Sequence, residues 1–171
     1  GYVASSHDDT VFLHLLTQGK VTSQLASGLV GLQVVTNYPS SGKVRISVTE
    51  AGSSASLSIR IPGWVKSAQL AVNGDSHLVE PSYANVKIKK GDEIELDMQL
   101  QPFFAWPHPM IDGTRETVAV KRGPLVYCAE FTENSGLSVD RIRINPFVSP
   151  YEKDGEVFVS GWLAEFDETA E

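Results

Sequence analysis

The chain has 171 residues, with 14 Lys and Arg against 21 Asp and Glu, and a formal net charge of −7 at pH 7. This length suits one large or two small domains that bury about 70% of the unfolded chain's surface. The negative balance and the scattered basic residues argue against a nucleic-acid partner. Because no apolar run approaches the ~20 residues that cross a bilayer, and no signal peptide opens the chain, we expect no membrane partner.

Strand signals dominate the sequence, since apolar residues alternate over short runs bounded by Gly, Pro, Asn and Asp. Turn signals recur every 8 to 12 residues, as is typical of sandwiches and jelly rolls. We therefore predict an all-β fold, an antiparallel β-sandwich or jelly roll made of two small packed units.

The first half of the chain supplies most of the regular alternation. "TVFLHLLTQG" (residues 10–19) is apolar on both faces, which predicts a strand covered on both sides. "GLQVVTNYPSSGKVRISVTE" (residues 31–50) predicts a hairpin that turns at residues 38–42. Its second strand is expected to point three side chains inward, Val44, Ile46 and Val48.

Three further stretches complete the first unit. "SASLSIRIPGW" (residues 54–64) predicts a strand that halts at Pro62. "AQLAVNGDSHLV" (residues 68–79) carries Asn73-Gly74, the strongest short hairpin signal. "ANVKIKKGDEIELDMQL" (residues 84–100) predicts another hairpin, which would place Lys89 opposite Glu93 and Lys87 opposite Glu95.

"QPFFAWPHPMIDG" (residues 101–113) is the expected junction, because its prolines should disrupt strand pairing for about a dozen residues. We predict a first unit at residues 1–104 and a second at residues 105–171, the latter truncated at its end. Alternation resumes in "ETVAVKRGPLVYCAEF", passes a polar turn at "TENSG", and recurs in "DRIRINPF" and "EVFVSGW".

Three carboxylates, Glu93, Glu95 and Asp97, share one face of a predicted strand. Paired carboxylates catalyse many glycoside hydrolyses. Their every-second-residue spacing beside lysines instead favours a solvated face. Asp8-Asp9 is likewise interpreted as a polar turn.

The four histidines lie at positions 7, 14, 77 and 108, without metal-ligand spacing. His14, flanked by leucines, is interpreted as a core or interface residue, and His77 as solvated. His108, beside Trp106 and between prolines, is a candidate sugar contact, although a structural corner is favoured. Gly28 and Gly31 lack the helix that a phosphate loop requires.

Aromatic side chains could form a platform for stacking sugar rings. The candidates are Phe103, Phe104, Trp64, Trp106 and Trp162. Among all positions, Trp106, His108 and Phe104 are the ones we assign as candidate substrate-binding residues. Core or interface anchoring is the favoured alternative for these aromatic residues.

Cys128, the only cysteine, excludes an internal disulfide and a multi-thiolate zinc site. Its position in "PLVYCAE" offers no helix terminus, basic neighbour or metal that would lower a thiol pKa. We therefore interpret Cys128 as a buried small hydrophobic residue and not as a nucleophile. The compartment stays open, with the cytoplasm slightly favoured.

Four strings carry a family resemblance: "GYVASSHDDTVFLHLL", "SLSIRIPGW" followed by "LAVNGD", "KKGDEIELDM", and "HPMIDGTRETVAVKRGPLVYCAE". Together they resemble the C-terminal β-domains of glycoside hydrolase family 127, the β-L-arabinofuranosidase family. The resemblance runs from Gly1 to about Phe131. It implies a parent protein whose N-terminal (α/α)6 barrel uses a zinc-bound cysteine nucleophile and a glutamate acid/base with retention of configuration.

The resemblance places that catalytic set before this chain, so we expect no catalytic residue, cofactor or metal within it, and zinc only in the missing catalytic domain. The chain start at Gly1 and the ending "EFDETAE" agree with a fragment. The expected function is a non-catalytic support that packs against the barrel. The alternatives are a carbohydrate-binding module using Trp106, Phe104 or Trp162, and a free-standing structural or adhesion domain. A bare patch would also permit self-association.

Overall fold

A computed structural model describes residues 2–129 and 141–164. The chain divides into two compact units, residues 1–100 and residues 101–171. Strands form nearly all of the regular structure, which confirms the all-β prediction. Within the described residues, no helix has the length and apolar character needed to cross a membrane.

The first unit contains ten strands. They are β1 (Ala4–His7), β2 (Thr10–Leu13), β3 (Gly19–Leu25), β4 (Gly28–Thr36), β5 (Lys43–Glu50), β6 (Ser56–Ile61), β7 (Ala68–Val72), β8 (Asp75–Val79), β9 (Ser82–Lys87) and β10 (Glu93–Met98). They form a four-stranded sheet in the order β1-β2-β6-β9 and a six-stranded sheet in the order β3-β4-β5-β10-β7-β8. Neighbouring strands are antiparallel except β2 and β6, which run parallel.

Both sheets contribute to one hydrophobic core, so the unit is a sandwich. Leu57 and Ile59 of β6 and Ile46 and Ile94 of the six-stranded sheet are fully buried. The inward row of β5 and the halt of β6 before Pro62 follow the sequence prediction. Alternating sequence therefore positions each core side chain.

Two of the three predicted hairpins are confirmed. Antiparallel β4 and β5 flank the turn at residues 38–42. Between β7 and β8, Asn73 and Gly74 have φ angles of 51° and 88°, the positive values that a two-residue hairpin needs.

The hairpin predicted for residues 84–100 is wrong. Strand β9 pairs with β6 in one sheet, whereas β10 pairs with β5 and β7 in the other. The segment between β9 and β10 passes from one sheet to the other. The apolar side chains on its two sides, such as Ile88 and Ile94, both face the shared core. Alternation is the same for a hairpin and for a crossing, so the pattern could not separate them.

The strand predicted for residues 10–19 is too long, because β2 ends at Leu13 and Leu15 is exposed. A contact on the outer side of the sheet explains why the second face of β2 is also apolar. The Phe12 ring lies 6.0 Å from the Tyr83 ring, centroid to centroid, on the outer surface of the sheet.

The second unit contains small sheets. Its strands are β11 (Pro102–Ala105), β12 (Ala119–Arg122), β13 (Leu125–Tyr127), β14 (Ile142–Ile144), β15 (Tyr151–Lys153), β16 (Glu156–Phe158) and β17 (Gly161–Leu163), with a short 3-10 helix at Asp112–Thr114. They pair as β11-β12-β13, β14-β17 and β15-β16. Strand β11 corrects the prediction that prolines interrupt pairing throughout residues 101–113, because Pro102 stands at the start of an edge strand, where its missing N–H costs no ladder bond.

Cys128 is exposed, which corrects its predicted burial. Among the described strands, β13 lies at the edge of its sheet and ends at Tyr127, one residue earlier, so the alternation in "PLVYCAE" does not continue through a covered ladder there. The "TENSG" turn lies outside the described residues.

Candidate functional site

Two of the three candidate sugar contacts lie together in the second unit. The ring centroids of Phe104 on β11 and Trp106 just beyond it are 6.4 Å apart with an interplanar angle of 70°. The edge-to-face arrangement is a favourable aromatic geometry. Because 62% of Trp106 is exposed, the pair presents an aromatic surface to solvent.

His108 belongs to the turn that follows. Its Nδ1 accepts a hydrogen bond from the Met110 backbone N–H at 3.2 Å, and its carbonyl accepts one from the Ile111 N–H at 3.0 Å. These contacts fix the turn locally, and the His108 ring is exposed.

Sequence reasoning missed Tyr127 as a neighbour of this surface. Phe104 is registered with Val120 on β12, and Val120 with Tyr127 on β13, so all three lie on one face of the sheet. The sequence signal that could have revealed this neighbour is the alternation of side chains on both sides of the Gly123-Pro124 corner.

An ion pair supports the same sheet. Arg122 donates from Nε to Glu152 Oε2 at 2.7 Å and from Nη2 to Glu152 Oε1 at 3.0 Å. Both side chains are largely covered, and the two-bond geometry is the most directional that these groups form. It fastens β15 to β12 within the second unit.

The remaining aromatic candidates are dispersed. Trp64 stacks on Tyr38 at 6.5 Å and packs against the core of the first unit, where burial raises the pKa of the Tyr38 hydroxyl. Trp162 is exposed on β17, and Phe103 lies 5.8 Å from the Lys121 Nζ.

The carboxylate row is a solvated surface. Glu93, Glu95 and Asp97 are all exposed on β10. Glu95 pairs with Arg45 of β5 at 2.8 Å, and Glu93 accepts a hydrogen bond from Ser47 at 2.8 Å. The predicted lysine partners were wrong because β9 lies in the other sheet.

A second aromatic cluster lies on the four-stranded sheet. The half-buried His14 ring shares a 2.8 Å hydrogen bond between Nε2 and Ser5 Oγ, and a 2.6 Å hydrogen bond between Nδ1 and the Tyr83 hydroxyl. The His14 ring lies 6.2 Å from Phe12 and 5.8 Å from Tyr83. Sequence reasoning missed Tyr83, although its outward position in "SYANVK" was a usable signal.

Asp9 joins three turns of the first unit. It accepts hydrogen bonds from the Ser54 hydroxyl and, at 2.9 Å, from the Ser27 backbone N–H. These bonds from Ser54 and Ser27 hold the pKa of the Asp9 carboxyl below its ordinary value. The preceding Asp8 has a φ of 50°, in keeping with the predicted turn.

The described residues contain no group of three or more His, Cys, Asp or Glu side chains placed to hold a metal ion. Cys128 is exposed at the end of an edge strand. The donor set in residues 2–129 and 141–164 therefore does not fit the thiolate-ligated zinc centre that the family resemblance implies for the catalytic domain.

Comparison with known proteins gives two adjacent family matches. Residues 10–100 match the β-L-arabinofuranosidase, GH127 middle domain, and residues 105–153 match the glycoside hydrolase family 127 C-terminal domain. A non-reducing end β-L-arabinofuranosidase of Bifidobacterium longum subsp. longum is 35% identical over 124 residues, which are 67% of this chain and 19% of that protein.

Solved structures agree with these matches. One described as a glycoside hydrolase has a TM-score of 0.83 and 29% identity, over 98% of this chain and 30% of that chain. A family 127 β-L-arabinofuranosidase from Geobacillus stearothermophilus T6 has a TM-score of 0.73 and 25% identity, over 99% of this chain and 30% of its own.

The chain thus spans about a fifth of its curated relative and under a third of the similar solved chains. The middle-domain match alone covers more than half of the 171 residues, and the C-terminal match follows it directly. This chain belongs to glycoside hydrolase family 127 and carries the family's middle and C-terminal domains.

Proposed function

We propose that this chain supports the catalytic domain of a longer β-L-arabinofuranosidase-like glycoside hydrolase, without itself cleaving the glycosidic bond. One observation carries the proposal: the chain matches the family's middle and C-terminal domains, and its aligned part corresponds to only 19% of the curated arabinofuranosidase. The carboxylate row on β10 also supports it, because its members are solvent-exposed neighbours on one strand. Glycosidase carboxylates instead flank the scissile bond from two sides.

The partner in this proposal is the (α/α)6 barrel implied by the family resemblance. Its zinc, cysteine and glutamate would perform the chemistry. The β-domains would cover one flank of the barrel and hold its shape. Fold alone does not fix an activity, so the sugar specificity belongs to the barrel.

The isolated chain should not hydrolyse an aryl β-L-arabinofuranoside, with or without added zinc, whereas the longer protein containing it should. The measurement is release of the aryl group under identical conditions. Zinc-dependent turnover by the isolated chain would overturn the proposal.

A second function rests on the Phe104–Trp106 pair, whose exposed Trp106 ring is suited to stacking on a sugar ring. In this alternative the chain is a carbohydrate-binding module. Titration calorimetry with arabinan oligosaccharides should then give heat that Trp106→Ala removes. Phe103→Ala is the matched control, because Phe103 lies on the other face of the same sheet and its loss should leave the heat unchanged. A scaffold without a sugar site would give no heat in any variant.

A further inference from the structure

The two outer faces of the sandwich in the first unit differ in chemistry. The six-stranded sheet turns outward charged side chains, including Arg45, Glu95 and Asp97, together with separate aliphatic ones such as Val35 and Leu78. The four-stranded sheet turns outward an aromatic cluster of Phe12, His14 and Tyr83. We call the outward side chains of β1, β2, β6 and β9, together with His14 just beyond β2, the aromatic face.

The centre of the aromatic face already excludes water. Strands β2 and β9 are separated by β6, so their backbones lie roughly 10 Å apart. The Phe12 and Tyr83 rings nevertheless approach to 6.0 Å, which requires both to lean over β6. Ser58, on β6 beside Phe12, is 0% exposed.

The Ser58 hydroxyl is also unusual in its bonding. Within the described part of the chain, its oxygen is buried without a hydrogen-bond partner. Core neighbours do not explain this burial, since Leu57 and Ile59 point to the opposite side of β6. The sheet thus tolerates a desolvated hydroxyl on an outer surface, a condition more typical of an interface centre than of a solvated face.

None of the four strands contains Asp or Glu, and the exposed Arg60 is registered with Tyr83 of the ring cluster. The exposed Lys87 lies further along β9, opposite Ser56 and within electrostatic range of Asp9 in the β1–β2 turn. The charged side chains of the four strands are therefore positive. The chain as a whole carries a net charge of −7. A second copy of the chain would therefore be repelled overall, and the face complements an acidic surface on a different partner.

Resting on the proposed function, we propose that the aromatic face is the docking surface for the catalytic domain of the longer protein. The matching surface on that domain has an apolar centre over Phe12 and Tyr83 and acidic groups facing Arg60 and Lys87. The length of the relatives supports this occupant, because about 70% of each similar solved chain lies outside the aligned region. An aromatic centre with an arginine at its edge is the usual composition of an energetically dominant contact.

Hydroxyl-radical footprinting of the isolated chain and of the longer protein tests the docking surface. Labelling of Phe12 and Tyr83 should fall roughly fivefold or more in the longer protein, as expected at a desolvated interface centre. Leu78, 76% exposed on the six-stranded sheet, is the internal control and should keep its labelling.

Charge reversal gives a second measurement that does not alter the core. Arg60→Glu should restore most of the Tyr83 labelling in the longer protein. Lys43→Glu, an exposed reversal on β5 of the other sheet, should leave Tyr83 protected.

Equal Tyr83 labelling in both proteins would overturn the docking surface while leaving the proposed function standing. Protection that grows with the concentration of the isolated chain would also overturn it, because the occupant would then be a second copy. Hydrolysis by the isolated chain would instead contradict the proposed function, so the two failures are distinguishable.

Discussion

Asn73 shows how one residue can join a turn to a neighbouring strand. Its φ of 51° is the left-handed conformation that asparagine tolerates better than most residues. Its side chain donates to Asp92 Oδ1 at 3.0 Å and accepts from the Glu93 N–H at 2.9 Å. The hairpin tip is therefore fixed to the start of β10.

Asn73→Ala should lower the free energy of unfolding by about 2 kcal/mol, because it loses both side-chain bonds and strains a left-handed backbone. Asn73→Gly loses the same bonds without the strain, so its loss should be smaller, about 1 kcal/mol. Urea unfolding of both variants measures the difference. Equal losses would show that the backbone conformation contributes nothing.

Asp9 makes the stability of the first unit depend on pH. Its pKa is lowered on folding by bonds from Ser54 and Ser27, so its contribution is fully present above the ordinary aspartate value of 3.8 and is lost as the pH falls through the lower, folded value. Melting temperatures from pH 6 to about pH 2 should therefore show wild type above Asp9→Asn at the upper end, with the gap closing at the acid end. A gap that stayed constant across this range would contradict the linkage.

At the scale of elements, β10 is the strand on which the six-stranded sheet depends. It is hydrogen-bonded to β5 on one side and β7 on the other. Its last residue, Met98, donates its N–H to the Gly42 carbonyl at 3.1 Å. A Cβ at Gly42 would lie 1.7 Å from the Met98 carbonyl oxygen, so the two backbones approach as closely as only glycine allows.

Gly42→Ala should destabilise the chain by about 3 kcal/mol, because a backbone segment must move to admit the methyl group. Gly63→Ala is the matched control: its added Cβ meets nothing within 4 Å, and the change should stay within about 0.5 kcal/mol. Urea midpoints report both. A Gly42→Ala variant as stable as the control would mean that β10 can shift freely.

Strands and turns could be predicted where local backbone preferences determine them. They could not be predicted where the choice of neighbouring strand determines them. Asn73-Gly74 and the turn at residues 38–42 specify hairpins through backbone preferences and were found. The crossing between β9 and β10 was missed, since inward alternation is the same whichever sheet a strand joins. The predicted burial of Cys128 was wrong for a related reason: an edge strand has the same alternation of apolar residues as a covered strand.

At the scale of the whole molecule, the two units differ in how they are held together. Among the described residues, every buried member of the hydrophobic core lies between Val11 and Met98, in the first unit. The described part of the second unit relies on short sheets and on the Arg122–Glu152 pair. Burial of apolar area dominates folding free energy, so stability should reside in residues 1–100.

A chain of residues 1–100 should unfold cooperatively in urea. Its free energy of unfolding should lie within about 1 kcal/mol of that of the first transition of the whole chain. Trp64 is the only tryptophan in that segment and stacks on Tyr38, so its fluorescence follows the sandwich. Residues 101–171 alone should show no cooperative transition. Loss of the transition from residues 1–100 would show that the second unit completes the core.

The family, the fold class and the Phe104–Trp106 pairing region could be approached from sequence strings and aromatic spacing alone. The aromatic face could not, because Phe12 and Tyr83 are 71 positions apart and meet only through the register of β2, β6 and β9. Long-range register is set by the complete sheet and not by either local string.

The exposed thiol of Cys128 has a practical consequence for handling the protein. A maleimide fluorophore would attach at a single position per molecule, which makes labelling stoichiometric without engineering. In aerated buffer the same sulfur can couple two molecules through one intermolecular disulfide. Preparations stored without reductant would then contain covalent dimers created by oxidation, and light scattering would report an assembly that dithiothreitol abolishes.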